Sequence, residues 1–160
     1  MSRRVAASGL LVSATAAFRD YQLHHAWIWE HQALTRARFC AGDAAVGAAF
    51  EAIRIEVLCR EQDQVTLRQE VIGMRNKMFE GHRLSAEWFD VKQSRGGLVD
   101  IEFAVQYLVL AHAFRHKELT ANVGNIALLA RCAAVGLIPD GLAHAVANAY
   151  RELRRLQHRA

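Results

Sequence analysis

The chain has 160 residues, 52% hydrophobic and 22% charged, with one proline and ten glycines, the composition of one compact domain with a real core rather than a disordered or repetitive polymer. Twenty Lys plus Arg against sixteen Asp plus Glu leave a net charge of only +4, dispersed except for Arg151, Arg154, Arg155 and Arg159, so a dedicated nucleic-acid groove is excluded. The longest uncharged apolar stretch, Phe103 to Phe114, falls short of the roughly 20 residues that a bilayer span needs, so no membrane partner is expected.

Ser2-Arg3-Arg4 ahead of Val5 to Phe18 imitates an export signal. The stretch is broken by Ser8, Gly9, Ser13 and Thr15 and runs straight into Arg19-Asp20-Tyr21-Gln22, so the edge of a larger domain explains it better. Gly9 to Ser13 reads as a short buried strand, and Ser13 as the cap of a helix that carries Phe18 and Tyr21 and runs to about Trp29. His31 to Cys40 alternates through Ala33, Thr35, Ala37 and Phe39 and reads as an edge strand, or else as an extension of the helix. The turn Ala41-Gly42-Asp43 marks a boundary, which predicts residues 1–42 as a small β-containing unit and 43–160 as a helical domain.

From Asp43 onward the pattern is helical. Asp43 caps a helix with Val46, Phe50, Ile53 and Val57 on its apolar face; Asp63 caps another with Leu67, Val71, Met74 and Met78, closed by Gly81. His82 to Ser94 lacks periodicity and reads as an ordered loop. Leu98 to about His116 is apolar on nearly every side, which predicts a central, buried helix. Asn122 or Asn125 opens a further helix that stops at Gly136, and Pro139-Asp140 opens the last, through Leu142, Val146, Tyr150 and Leu153. The expected fold is mainly α: a helical bundle with a small β-containing N-terminal remnant.

The sharpest local feature is Lys92-Gln93-Ser94-Arg95-Gly96-Gly97-Leu98-Val99-Asp100-Ile101-Glu102-Phe103. Two glycines at a helix start let backbone N–H groups approach a bound group, the helix N-terminus adds partial positive charge, and Lys92 and Arg95 add full charges, so the parts of a phosphate site are present. The competing reading is a tight turn whose Asp100 and Glu102 compensate the helix dipole. Asp100 and Glu102 do not share one metal ion, since positions i and i+2 of a helix point about 200° apart; Asp100 is expected to partner a base such as Arg95, and Glu102 to lie on the side of Gln106. His112 and His116, four apart, lack a third metal ligand and read as capping or surface groups, and His24, His25 and His31 add none. Trp27, Trp29 and Tyr21 read as core rather than as stacking platforms. Cys40, Cys59 and Cys132, odd in number and far apart, read as buried thiols of a protein in a reducing cytoplasm.

Ser8 to Ser13, Ala17-Phe-Arg-Asp-Tyr-Gln22, Ala26-Trp-Ile-Trp-Glu-His-Gln-Ala-Leu-Thr-Arg-Ala-Arg38, Arg95 to Phe103 with Gln106-Tyr107, and Asn125-Ile-Ala-Leu-Leu129, in this order, closely resemble the C-terminal part of bacterial bifunctional glutamine synthetase adenylyltransferase/adenylyl-removing enzymes. The resemblance runs from Ser8 to Arg159. It implies the tail of the family's second nucleotidyltransferase domain (residues 1–42) followed by its helical companion (43–160, truncated at its C-terminal end). It implies an enzyme that adenylylates a tyrosine of glutamine synthetase with ATP and magnesium and answers to PII signalling proteins and glutamine. Lys92, Arg95, Gly96 and Gly97 would then contact nucleotide phosphate, supported by Asp100 and Glu102, where the helical domain meets the catalytic one.

The departures are equally specific. The family holds its metals with an Asp-x-Asp pair and a third Asp. The aspartates here are Asp20, Asp43, Asp63, Asp90, Asp100 and Asp140, without any Asp-x-Asp, so no catalytic residue and no metal ligand is assigned. A fragment, split gene product or degraded copy that is inactive without the remainder of the adenylyltransferase is expected. The alternatives are a non-catalytic helical module docking on glutamine synthetase or a PII protein, and an unrelated helical protein binding an anion at Arg95 to Gly97.

Overall fold

The computed structural model describes residues 13–81 and 89–159. Its helices are α1 (Thr15–His24), α2 (Ile28–Leu34), α3 (Ala44–Leu58), α4 (Gln64–Glu80), α5 (Leu98–His112), α6 (Asn125–Ala134) and α7 (Asp140–Gln157), with a 3₁₀ turn at Lys117–Thr120.

Among the described residues there is no strand, which corrects the expected β-containing remnant. Gly9 to Val12 lie outside the described residues, and Ser13 is exposed and irregular. The edge strand expected at His31–Cys40 is instead the end of α2 followed by irregular chain. Burial gives the reason: His31, Gln32, Leu34 and Thr35 are buried and Ala33 is exposed, the spacing of a helix face rather than of a strand.

The first helix also stops earlier than expected. His25 and Ala26 both donate to the carbonyl of Tyr21, and the Glu30 carboxylate accepts from the Trp27 N–H (2.9 Å) and the Tyr21 hydroxyl (2.8 Å). Glu30 therefore closes a corner between α1 and α2 at residues where the sequence suggested continuous helix. Ala14, not Ser13, occupies the cap position of α1, and no side chain caps it. Trp27 and Trp29, expected in the core, are 60% and 44% exposed.

Beyond Asp43 the chain follows its local signals. The Asp43 carboxylate accepts from Ala45 N (2.7 Å), and Asp63 accepts from Thr66 N (2.8 Å); the Thr66 hydroxyl first and this backbone bond next hold the Asp63 carboxyl below its ordinary range. Central α5 divides two apolar groups. Val105 and Val109 pack with Leu119, Leu128, Cys132 and Ala143, whereas Leu110 and Ala111 pack with Leu34, Ile53, Val57 and Leu67. Leu34 thereby makes α2 part of the bundle. The Arg19–Glu56 ion pair (Nε to Oε2 2.7 Å) and the Arg60 bond to the Leu23 carbonyl tie α1 to α3 and its end.

Arg54 of α3 has no exposed surface. Its guanidinium donates to Glu51 (2.6 and 2.8 Å), to the Thr120 carbonyl and, at 3.5 Å, to the Leu34 carbonyl. A buried charge needs such a set of acceptors, and here α2, α3 and the 3₁₀ turn supply it.

Candidate functional site

The loop ahead of α5 is shaped by Asp90, whose carboxylate accepts from the N–H groups of Lys92 (2.7 Å) and Gln93 (3.0 Å) while its own N–H donates to Ser94 Oγ (2.9 Å). The loop then folds over the first turn of the helix. Leu98 N donates to the Val91 carbonyl (2.9 Å), Val99 N to that of Lys92 (3.1 Å), and Gly97 N to that of Ser94 (2.9 Å). Gly97 must be glycine for this closure, because a Cβ there would lie 2.8 Å from the Val91 oxygen and 2.9 Å from that of Ser94. Gly96 serves differently: its φ of +81° lies in the left-handed region, and its N–H donates to the Asp100 carboxylate at 2.5 Å.

The backbone donors that would cradle a phosphate are thus occupied by the protein's own oxygens. Two charged side chains of the segment remain at the surface. Lys92 is exposed, and the exposed Arg95 guanidinium lies 4.9 Å from the centroid of the Phe79 ring. Asp100 does not pair with Arg95. It pairs with Arg75 of α4, whose Nη2 also donates to the carbonyls of Gln93 (2.8 Å) and Ser94 (3.3 Å). Arg75 binds the loop to the helix it precedes, and nothing in the spacing of α4 singled it out.

Glu102 points to another neighbourhood. It accepts from the Tyr150 hydroxyl (2.9 Å) and sits 3.8 Å from Arg36, which donates to Asn125 Oδ1 (3.2 Å). Gln32 donates to Gln106 beside it (3.0 Å). Burial and the bond to Glu102 push the Tyr150 phenol above its ordinary value. Segments of α2, α5 and α6 that carry the resemblance therefore meet in one polar cluster, with α7 closing it.

Other candidates stay apart. His24 and His25 lie near Asp20 at the surface (3.1 and 3.7 Å), His112 is lowered by burial first and by His116 and Arg115 next, and no three His, Cys, Asp or Glu among the described residues gather as a metal site requires. These residues do not fit magnesium. Cys40 is exposed, unlike the expected buried thiol, while burial pushes the Cys59 and Cys132 thiols up. Among the described residues no helix is long and apolar enough to cross a membrane.

Two family models, both of nucleotidyl-transferring enzymes, match successive parts of the chain. Residues 65–160 match the family model for GlnD PII-uridylyltransferase, and residues 3–53 match that for glutamate-ammonia ligase adenylyltransferase. The chain is 59% identical over 152 residues to the bifunctional glutamine synthetase adenylyltransferase/adenylyl-removing enzyme of Aromatoleum aromaticum, covering 95% of this chain and 16% of that protein. It is 58% identical to the enzyme of the same name from Chromobacterium violaceum (96% of this chain, 17% of the relative) and 54% to that of Burkholderia mallei (95% and 17%). By the family model that matches more than half of it, the chain belongs to the GlnD PII-uridylyltransferase family; it is similar along nearly all of its length to these adenylyltransferases and spans only 16–17% of their length.

Proposed function

We propose that this chain is the helical part of an enzyme that adenylylates and de-adenylylates glutamine synthetase to control nitrogen assimilation, and that it does not catalyse alone. The observation that carries the reading is the 59% identity across 95% of the chain to an enzyme so named. ATP and magnesium belong to the complete enzyme, whose metal-holding carboxylates lie outside these residues, and PII protein is the regulatory partner that the resemblance implies. Residues 1–42 would continue the catalytic domain.

Within that reading, Lys92 and Arg95 supply charge to the nucleotide phosphates, and Gly96, Gly97 and Asp100 hold the loop that presents them. Glu102 supports the same helix from its other side. The supporting facts are the exposure of both cations and their position on a loop pinned at both ends.

The test is co-production of this chain with a polypeptide carrying the remaining nucleotidyltransferase residues, followed by magnesium-dependent transfer of labelled AMP to glutamine synthetase. Transfer by the pair and none by either part supports the proposal. Transfer by this chain alone, or none by a folded and associated pair, overturns it. In the active pair Arg95→Ala should weaken ATP affinity between about tenfold and a hundredfold, the loss of a charge-assisted contact of about 1.5–3 kcal/mol; unchanged affinity removes Arg95 from the site.

A further inference from the structure

The outer surface of α4 and α5 carries a groove that meets the proposed phosphate loop at Arg95 and Asp100 and runs on past it along α4. Val65 and Ile72 stand one heptad apart on α4 and are 64% and 48% exposed, with Arg68 between them. Phe103 and Tyr107 of α5 form the opposite wall, and Arg95 lies at one end. Two cavities, of about 360 and 520 Å³, share Arg68, Ile72 and Tyr107 and so lie side by side along one trough-like surface. Val65 to Ile72 covers about 10 Å of helix, two turns, which is the repeat over which a second helix seats its apolar stripe.

Charge selects the occupant. Among the described residues the one carboxylate in the trough, Asp100, is already paired with Arg75, so Arg68 and Arg95 leave a positive rim around an apolar floor. A second copy of this chain is disfavoured by the same logic, because its exposed amphipathic helix α7 carries Arg151, Arg154 and Arg155 against Glu152 alone in its last turns. We infer that the α4–α5 groove docks an acidic amphipathic helix from a polypeptide segment outside these 160 residues, with apolar side chains against Val65, Ile72 and Tyr107 and carboxylates against Arg68 and Arg95.

The probe is a fluorescent 18-residue helical peptide with a leucine stripe flanked by glutamates, compared with a counterpart in which every glutamate is lysine, by anisotropy on the whole 160-residue chain. The glutamate peptide should bind saturably and at least tenfold more tightly than the lysine peptide. Arg68→Glu and Ile72→Asp should each weaken it tenfold or more with the helical circular dichroism unchanged, whereas Val46→Asp, on exposed surface of α3, should leave it unaltered. Absence of saturable binding, equal affinity for both peptides, or indifference to Ile72→Asp overturns the proposal. So does a dimer in light scattering that Ile72→Asp dissolves, which would assign the groove to a second copy. Binding to phosphatidylglycerol vesicles that needs Arg68 and Ile72, without binding of the peptide, would assign it to a membrane and equally overturn it.

Discussion

The Arg75 guanidinium on α4 and the Asp100 carboxylate on α5, 25 residues apart in the chain, form an ion pair that fastens the Gly96-Gly97 loop between two helices. The Arg75 side chain is only 11% exposed and Asp100 is 34% exposed, so part of the interaction is shielded from water. Arg75→Ala would strip Asp100 of its cation and leave the carbonyls of Gln93 and Ser94 without this donor. We expect a loss of about 2 kcal/mol, below the 3–5 typical of a fully buried pair because Asp100 is partly solvated. By contrast Arg95→Ala, which removes an exposed cation lying over Phe79, should cost less than about 1 kcal/mol. Urea unfolding of the two variants checks the order, and an equal or larger loss for Arg95→Ala would contradict it.

The adjacent glycines should separate in the same assay. Gly97→Ala drives a Cβ against three carbonyl oxygens, those of Val91, Ser94 and Lys92 at 2.8 to 3.0 Å, so the loop must open. Gly96→Ala meets no atom within 4 Å and suffers only from its positive φ, a cost of about 1–2 kcal/mol. Gly97→Ala is therefore expected to be the more damaging, and its effect should include faster amide exchange at Leu98 and Val99.

Leu34 tests whether the N-terminal helices belong to the same cooperative unit. It is 6% exposed and packs with residues of α3, α4 and α5. Leu34→Ala should destabilise the whole chain by about 2–4 kcal/mol while unfolding stays a single transition. A loosely attached appendage would instead leave the main transition unmoved.

His31 makes stability depend on pH. Its Nε2–H donates to the Gln22 carbonyl (2.9 Å), and burial lowers its pKa, which that bond only partly opposes. The unfolded chain therefore binds a proton at a pH where the folded chain does not, so stability rises with pH through this window. The contribution is complete above the ordinary value of about 6.5 and declines as pH falls below it toward the lowered folded value. His31→Gln should flatten the pH dependence of urea stability just below about pH 6.5, apart from the residual slope due to half-buried His112.

Much of the bundle was legible because its signals are local. Asp43 and Asp63 cap helices with their own neighbours, Gly81 and Pro139 end or precede helices, and the apolar run from Leu98 declares a central one. The strand at His31–Cys40 was misread because its alternation lay among alanines and a threonine, whereas the deciding contacts, Leu34 to α3 and Glu30 to Trp27, are set by the corner that precedes it. On α3 the stripe was right at Ile53 and Val57 but misplaced Val46, which is 53% exposed, and the face extends instead through Arg54 and Leu58. The Lys92 to Gly97 segment was visible as a sequence, yet its closed backbone was not, since Asp90, Val91 and Arg75 provide the groups that close it.

Arg54 carries a consequence for how α3 can lie. Its acceptors sit at fixed points on α2 and the 3₁₀ turn, whereas the apolar residues around it, Ile53, Val57 and Leu58, would tolerate many sliding arrangements. A slip of α3 by one turn would keep the Glu51 pair, which moves with the helix, but would carry the guanidinium about 5.4 Å from those carbonyls and leave its other N–H groups without acceptors among aliphatic side chains. Displaced packings of α3 are thereby penalised far more than a purely hydrocarbon interior would penalise them, so Arg54 acts as an alignment peg that admits a single register.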